Sequence, residues 1–523
     1  MKRQLVSFLC LSVVALTSLG QAFQSADSGR RVKDQFLAIT GAALIDGLGS
    51  VPLQDAVVVV AGDRIRAAGP RRSVAVPPHA RVIDARGLII TPGFIDMHNH
   101  SERGLDADPA AATQVSQGIT TVALGQDGGS EFPIAEYLSK RERSPVALNL
   151  LTFVGHATVR LKVLGQDINR RATTAEIEQM SGLVEQGMRD GAYGLSTGLE
   201  YETGKPATTA EVIALARVAG RYGGIHVSHI RDEADQTMEA LAEAVRIGET
   251  ARLPVHISHI KLGTVGVWGR VPQAAEIVNG ARRRGLDVTA DCYPYTAWLS
   301  TIKVLVSSDR HDDPADVARG LADVGGASNV TVVECEAHPD YEFKTLDAIA
   351  REQRQTPVEM YMRIVRDGGA IIVCRSMREE DVRAFYTQPW VMVSSDGGIG
   401  ISHPRAAGSF PRVLGRYVRE QRWLKLEEAV RKMTSLPAAR LGLKDRGVIR
   451  AGMKADLVLF DARRVNDRST FKEPGLIASG VSRVFVNGTE VWRDGAVTGN
   501  KPGRVLRHRP GRFRRAHMKS PAS

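Results

Sequence analysis

Ile225-His226-Val227-Ser228-His229-Ile230 and Val255-His256-Ile257-Ser258-His259-Ile260 are nearly the same six residues, thirty positions apart. About thirty residues is the length of one strand–helix–strand unit. The repeat therefore predicts two successive strands that carry His229 and His259 at equivalent ends. His226 and His256 lie three residues earlier, point differently, and read as core or supporting histidines.

The same texture continues outward from the repeat. Apolar, strand-like runs occur at 120–124, 146–152, 191–195, 224–227, 254–257, 287–290, 370–373 and 391–393. Amphipathic helix-length stretches such as 173–189, 210–222 and 236–250 lie between them. Strands alternating with helices predict an α/β chain with a parallel sheet. Eight such units over residues 91–440 predict a (β/α)8 barrel with insertions. The alternative, an open doubly wound sheet, lacks both GxGxxG and GxxxxGK[ST] signals. Residues 36–90 and 441–500 read as short strands separated by Gly and polar turns. They are expected to complete one small β-sandwich domain from both ends of the chain.

The 523 residues are 43% hydrophobic and 24% charged, which excludes a disordered, collagen-like or disulfide-scaffold protein. The net charge of +11 is concentrated at the ends. Residues 501–523 hold eight Lys/Arg and no acid, and Lys2 and Arg3 add two more, leaving +1 for 23–500. No nucleic-acid partner is expected of so neutral a body, and the basic tail from 501 reads as solvated. Residues 1–22 read as a cleavable signal peptide: a Lys2-Arg3 n-region, an apolar run from Leu5 to Leu19, and a small residue, Ala22. The expected location is periplasmic or secreted, with no membrane span in the mature chain. Cys292, Cys335 and Cys374 match no CxxC spacing and predict no disulfide framework.

The chemistry begins at Phe94-Ile-Asp-Met-His98-Asn-His100. Residues i and i+2 of a strand share a face, so both imidazoles project together and suit a divalent metal. Val391-Met-Val-Ser-Ser-Asp396-Gly-Gly ends another apolar run in an exposed carboxylate. In a barrel these ends meet His229 and His259 at the C-terminal mouth. Four histidines and Asp396 would hold one or two metal ions, with Asp396 placed to accept a proton from water and return it to a leaving nitrogen.

That order of ligands, flanked by β pieces from both ends, resembles the amidohydrolase superfamily. Longer motifs resemble its D-aminoacylase, or N-acyl-D-amino-acid deacylase, branch. They include Val154-Gly-His156, Gly191-Ala-Tyr-Gly-Leu-Ser-Thr-Gly-Leu-Glu-Tyr201, Ser228-His-Ile-Arg-Asp-Glu233, Ile257-Ser-His-Ile-Lys261, Asp291-Cys-Tyr293-Pro-Tyr295, His403-Pro-Arg405 and Lys432-Met-Thr-Ser-Leu-Pro-Ala. The likeness spans about residues 36–507. It implies zinc-dependent hydrolysis of the amide of N-acyl-D-amino acids to a carboxylate and a free D-amino acid. It implies that His229 and His259 hold the tightly bound zinc, that His98 and His100 line the other metal position, and that Asp396 is the general acid/base. It further implies that Lys261, Tyr293 and Arg405 grip the carboxylate of a small-molecule substrate and that Tyr201 approaches the scissile carbonyl.

The chain departs from that pattern in two places. Relatives carry a cysteine ligand in a Gly-Asn-Cys-Gly turn, where this chain reads Gly125-Gln-Asp127-Gly-Gly. Asp127 is expected to replace the thiolate as a metal ligand, and a harder oxygen donor leaves Mn or Fe open beside Zn2+. After Tyr293-Pro-Tyr295 the chain reads Thr-Ala-Trp298-Leu-Ser300, where relatives have a Gly-Ser-Thr stretch. Trp298 is expected to narrow the pocket. These departures keep a second reading open, an amidohydrolase acting on cyclic amides, dipeptides or lactones. A non-enzymatic binding protein is disfavoured by the intact ligand set. Nothing in the sequence specifies the oligomer.

Overall fold

The structure is a computed structural model that describes residues 36–509. The signal-peptide reading of 1–22 and the tail beyond 509 lie outside the described residues.

Eight parallel strands build the central barrel. In order they are Phe94–Asp96, Ile119–Leu124, a third strand divided at Phe153 into Asn149–Thr152 and Val154–Gly155, then Gly194–Gly198, Ile225–His229, Val255–Ile257, Val288–Cys292 and Val391–Val393. The ring closes where Asp396 N donates to His98 O at 3.0 Å and His100 N donates to Gly397 O at 2.7 Å. The residues of all these strands are buried, as in a sheet covered on both faces. Helices Thr174–Asp190, Thr209–Arg221, Thr237–Ala251 and Val271–Arg283 form part of the outer layer. The first of these is stopped sharply at both ends. Thr173 and Glu176 form a capping box at its start, and Gly191 at φ 112° ends it. That sharp stop delivers the chain into the fourth strand.

The run at 370–373 does not supply a barrel strand. Ile371–Cys374 instead pairs antiparallel with Trp298–Thr301 and Val330–Glu334. This small sheet belongs to an insertion after the seventh barrel strand, with its own core around Ile302, Leu321, Val332, Tyr361 and Ile372. A short apolar run reads the same in either setting. Val288–Cys292 pairs directly with Val391–Val393, and the eighth strand is instead Phe94–Asp96 at the start of the ring, following Pro92-Gly93.

A nine-stranded sheet joins the two ends of the chain. Its centre is the antiparallel pairing of Leu457–Phe460 with Ile89–Pro92, which pairs in turn with Phe36–Leu44. The sheet curls until Ile65 N donates to Met453 O at 2.8 Å and Arg64 pairs with Lys454. Its concave face encloses Ile39, Val58, Val60, Leu457, Leu459 and Phe485.

The start of the basic tail is docked rather than solvated. Gly503 N and Leu506 N donate to Val146 O and Leu150 O at 2.9 and 2.8 Å. His508 N donates to Gly191 O at 2.9 Å. Arg504 pairs with Asp63 at 2.7 Å and Arg507 with Glu142 at 3.1 Å. The acids that receive these arginines lie far away in sequence, which is why charge counting alone missed the docking. Among the described residues no helix is long and apolar enough to cross a membrane.

Candidate metal centre

The mouth of the barrel gathers nitrogen and oxygen donors from five strand ends. His98 Nε2 and His100 Nε2 lie 3.2 Å apart. Both face Asp127 Oδ2, at 3.3 and 3.4 Å, and Asp396 Oδ1, at 3.5 and 3.4 Å. The other oxygen of Asp127, Oδ1, lies 3.3 Å from His259 Nε2. His259 Nε2 is in turn 3.0 Å from His229 Nδ1. Asp127 therefore spans two groups of imidazoles, one carboxylate oxygen toward each.

These separations are what a divalent ion requires. Donors at about 2.0–2.1 Å on a tetrahedral ion lie about 3.3 Å from one another. Asp127 Oδ1 is also buried without a hydrogen-bond partner, an expensive state for an ionised oxygen unless a cation satisfies it. The residues fit a metal. His98, His100 and Asp396 would hold one ion, His229 and His259 a second, and Asp127 would bridge them.

The backbone at the site is held in an unusual conformation. Asp127, His259 and Asp396 all have positive φ, at 53°, 34° and 46°. Non-glycine residues adopt this region at a cost, and such residues cluster where function demands it. The Asp127 turn is also closed in by its neighbours. A Cβ at Gly128 would meet Gly198 N at 2.8 Å, so only glycine lets the turn lie against the fourth strand.

Burial raises the Asp396 carboxyl pKa, but Arg405 and then His259 and His98 outweigh it, and the pKa is lowered. Arg405 Nη1 lies 2.6 Å from Asp396 Oδ2. Burial likewise opposes ionisation of Asp127, and the nearby His98 and His259 overcome it. Both acids are thus acceptors for a cation.

Residues around the donors orient them. Asp291, on the seventh strand, accepts from His256 Nε2 at 2.7 Å and from His259 N at 3.1 Å. His226 contacts Thr197 Oγ1 at 3.0 Å inside the barrel. Asp96 accepts from Ser395 N at 2.9 Å and so tethers the turn that presents Asp396. Glu200 and Glu233, to which the sequence pattern assigns no role, sit against His229 and His259. Glu200 Oε2 is 2.9 Å from His229 Nε2, and Glu233 Oε1 is 3.1 Å from His259 Nδ1. Both lie in motifs of the sequence, Glu200 next to Tyr201 and Glu233 four residues after His229.

A cavity of about 480 Å³ opens over the centre. His100, Asp127, His229, His259 and Asp396 form its floor, and Trp298, Leu299, Ser300, Val304 and Leu305 of the insertion form a wall. Lys261, Arg405 and Tyr201 also line it. The Tyr201 ring lies 4.5 Å from that of His229, with its hydroxyl 3.3 Å from His229 Nδ1. Lys261 Nζ is ion-paired with Glu233. Tyr293 is placed differently from its neighbours in the expected grip. It is fully buried behind the cations, its ring 4.8 Å from the Arg405 guanidinium and its hydroxyl 3.6 Å from Met377 Sδ. Trp298 Nε1 donates to Ser376 Oγ at 2.8 Å, which pins the indole against the cavity.

The family model for the amidohydrolase family matches residues 81–492. The chain belongs to the amidohydrolase family. This amidohydrolase is 37% identical to a D-aminoacylase of Alcaligenes xylosoxydans xylosoxydans, over 90% of the chain and 97% of that protein. It is 36% identical to an N-acyl-D-aspartate deacylase of the same organism, over 90% and 94%. Among solved structures it is similar to D-aminoacylase, with a TM-score of 0.81 at 33% identity, covering 91% of this chain and all of that one. It is equally similar to N-acyl-D-glutamate deacylase from Bordetella bronchiseptica, solved with zinc and a phosphonate mimic of the tetrahedral intermediate (TM-score 0.81, 33% identity, 91% and 100% coverage). With the donor geometry, these likenesses make the chain a metal-dependent amide hydrolase of the N-acyl-D-amino-acid deacylase type.

Proposed function

We propose that this amidohydrolase is exported and uses zinc to hydrolyse the amide of N-acyl-D-amino acids, releasing a carboxylate and a free D-amino acid. One observation carries the reading: the two donor groups joined by Asp127 share a cavity with Lys261 and Arg405, the only Lys or Arg among the described residues that line it. A cationic pair beside a metal centre suits a substrate with a carboxylate next to its scissile amide. The D-aminoacylase and deacylase relatives support the substrate class.

His98, His100, Asp127, His229, His259 and Asp396 would hold the metal. Bound there, a divalent ion polarises the amide carbonyl and makes water a better nucleophile near neutral pH. The chain's own groups do the rest. Arg405 and Lys261 hold the substrate carboxylate at one side of the centre. Tyr201, stacked on His229, presents a hydroxyl that donates to the carbonyl oxygen as negative charge develops. Asp396, kept ionised by Arg405, takes a proton from the attacking water at the oxygen facing His98 and His100. It returns that proton to the nitrogen as the C–N bond breaks. The insertion covers the cavity and limits the entry of bulk water.

The test is a panel of N-acetyl-D-amino acids offered to zinc-loaded protein. Release of free D-amino acids is expected, reduced about 10²- to 10⁴-fold in Asp396→Asn even at saturating zinc. An untouched panel, or hydrolysis of cyclic amides or dipeptides in its place, refutes the substrate class; Trp298 at the cavity wall is the feature that favours this second reading. Export is tested by the mass of the mature protein from a native host, which should begin near residue 23.

A further inference from the structure

We infer that Glu200 is a positioning residue for the metal centre: its carboxylate fixes the tautomer of His229 so that Nδ1 faces the ion. The inference rests on the metal-hydrolase reading and assigns a residue that the metal-ligand pattern does not include.

The two ring nitrogens of His229 have distinct surroundings. Nδ1 converges with His259 Nε2 at 3.0 Å. Nε2 points the opposite way, to Glu200 Oε2 at 2.9 Å. A neutral imidazole carries one proton, and the nitrogen that ligates is the one without it. As a carboxylate acceptor, Glu200 accepts a hydrogen bond from Nε2–H, which keeps the proton on Nε2 and leaves the Nδ1 lone pair toward the floor of the cavity. The carboxylate is itself held, because Oε1 accepts the Glu233 backbone N–H at 3.2 Å. Its backbone follows the fourth strand, Gly194–Gly198, while His229 ends the fifth. The contact thus clamps two adjacent strand ends at the mouth.

The arrangement at His229 differs from that at the other ligands. His98 presents Nε2 to the centre, and its Nδ1 is buried without a hydrogen-bond partner, 3.9 Å from Asp291 Oδ2. His259 shares Glu233 with the Lys261 ammonium. At His229 Nε2 the carboxylate within hydrogen-bond distance is that of Glu200, with Glu233 Oε2 farther off at 3.8 Å. Removing Glu200 therefore leaves the tautomer of His229 undetermined at one of the two ion positions. Partners of this kind change metal affinity by about 10- to 100-fold.

The experiment measures zinc dissociation constants by competition with a chromophoric chelator, for wild type and for Glu200→Ala, Glu200→Leu and Glu200→Gln. Glu200→Ala and Glu200→Leu should bind one zinc about 10- to 100-fold more weakly, with the second zinc unaffected. Glu200→Gln can still offer an oxygen to Nε2 and should recover part of the loss. Saturating zinc should restore most of kcat in all three. Wild-type zinc affinity in either folded apolar variant, or Glu200→Gln binding no better than Glu200→Ala, overturns the inference. A change in KM alone would make Glu200 a substrate contact and would overturn it as well. Because zinc affinity is read without substrate, failure of the D-amino-acid panel leaves this result interpretable.

Discussion

Replacing Asp127 by Ala should remove one of two metal ions. In the structure Asp127 places Oδ2 3.3 Å from His98 Nε2 and Oδ1 3.3 Å from His259 Nε2, so one side chain serves both positions. Without it, one position keeps three side chains, His98, His100 and Asp396. The other keeps only His229 and His259. A unit charge pair about 4 Å apart is worth about 4 kcal/mol at an effective dielectric of about 20. If half of that survives desolvation, about 2 kcal/mol, or thirtyfold in affinity, is lost at the depleted position. Elemental analysis after dialysis against a zinc buffer set between the two affinities should give two zinc ions per wild-type chain and one per Asp127→Ala chain. Asp127→Cys, which restores a single-atom anionic donor, should retain two. Two ions in the alanine variant would refute the bridging role, and loss of both would mean that the two positions form as a unit.

Other consequences are independent of the bridge. Burial, reinforced by His156, lowers the His226 imidazole to about 4 from 6.5. Its folded pKa lies below the unfolded one, so its stabilising contribution is complete above 6.5 and is lost as pH falls toward 4. That amounts to about 2 kcal/mol by pH 5, and denaturant unfolding of metal-free protein at pH 7.5 and 5 should show a smaller drop in His226→Gln than in wild type. Glu211 is buried against Arg160 Nη1 at 2.7 Å and His156 Nε2 at 3.0 Å. Glu211→Ala strands the guanidinium and should cost about 3–5 kcal/mol in urea unfolding; a cost under about 1 kcal/mol would contradict this. The outer cavity carries Asp232, Asp235 and Asp323, and burial and then Asp235 raise the Asp323 carboxyl pKa. In the proposed binding mode Lys261 and Arg405 are taken by the substrate carboxylate, and an acidic side chain finds no further Lys or Arg among the described residues of the cavity. N-acetyl-D-glutamate should therefore have at least about tenfold lower kcat/KM than N-acetyl-D-leucine, and Asp323→Asn should narrow the gap about two- to fivefold.

The barrel was legible because two of its units carry nearly the same hexapeptide, which reveals period and strand ends together. The candidate donors were legible because histidine and aspartate at strand ends are chemically conspicuous, and the fold brings them together. Two kinds of feature were hidden. Ile371–Cys374 is as apolar as a barrel strand, and only its antiparallel partners distinguish it. Glu200 and Glu233 look in sequence like solvated carboxylates, and their contacts with His229 and His259 appear only in the fold. The resemblance implies that Tyr293 grips the substrate carboxylate with Lys261 and Arg405, but motif membership does not say which way a ring turns. Its burial under Arg405 is a packing outcome.

The nine-stranded sheet also sets an order of events during synthesis. Ile89–Pro92 waits for Leu457–Phe460, more than 350 residues later in the chain, and the third barrel strand waits for 503–508. Pairings at such separation form slowly, because a long loop must close before any contact compensates for it. The nascent chain therefore reaches Leu457 with Ile89–Pro92 still without its antiparallel partner. Closure of that sheet is therefore a late event, and a chain stopped before Leu457 would leave the Ile89–Pro92 edge without its antiparallel partner.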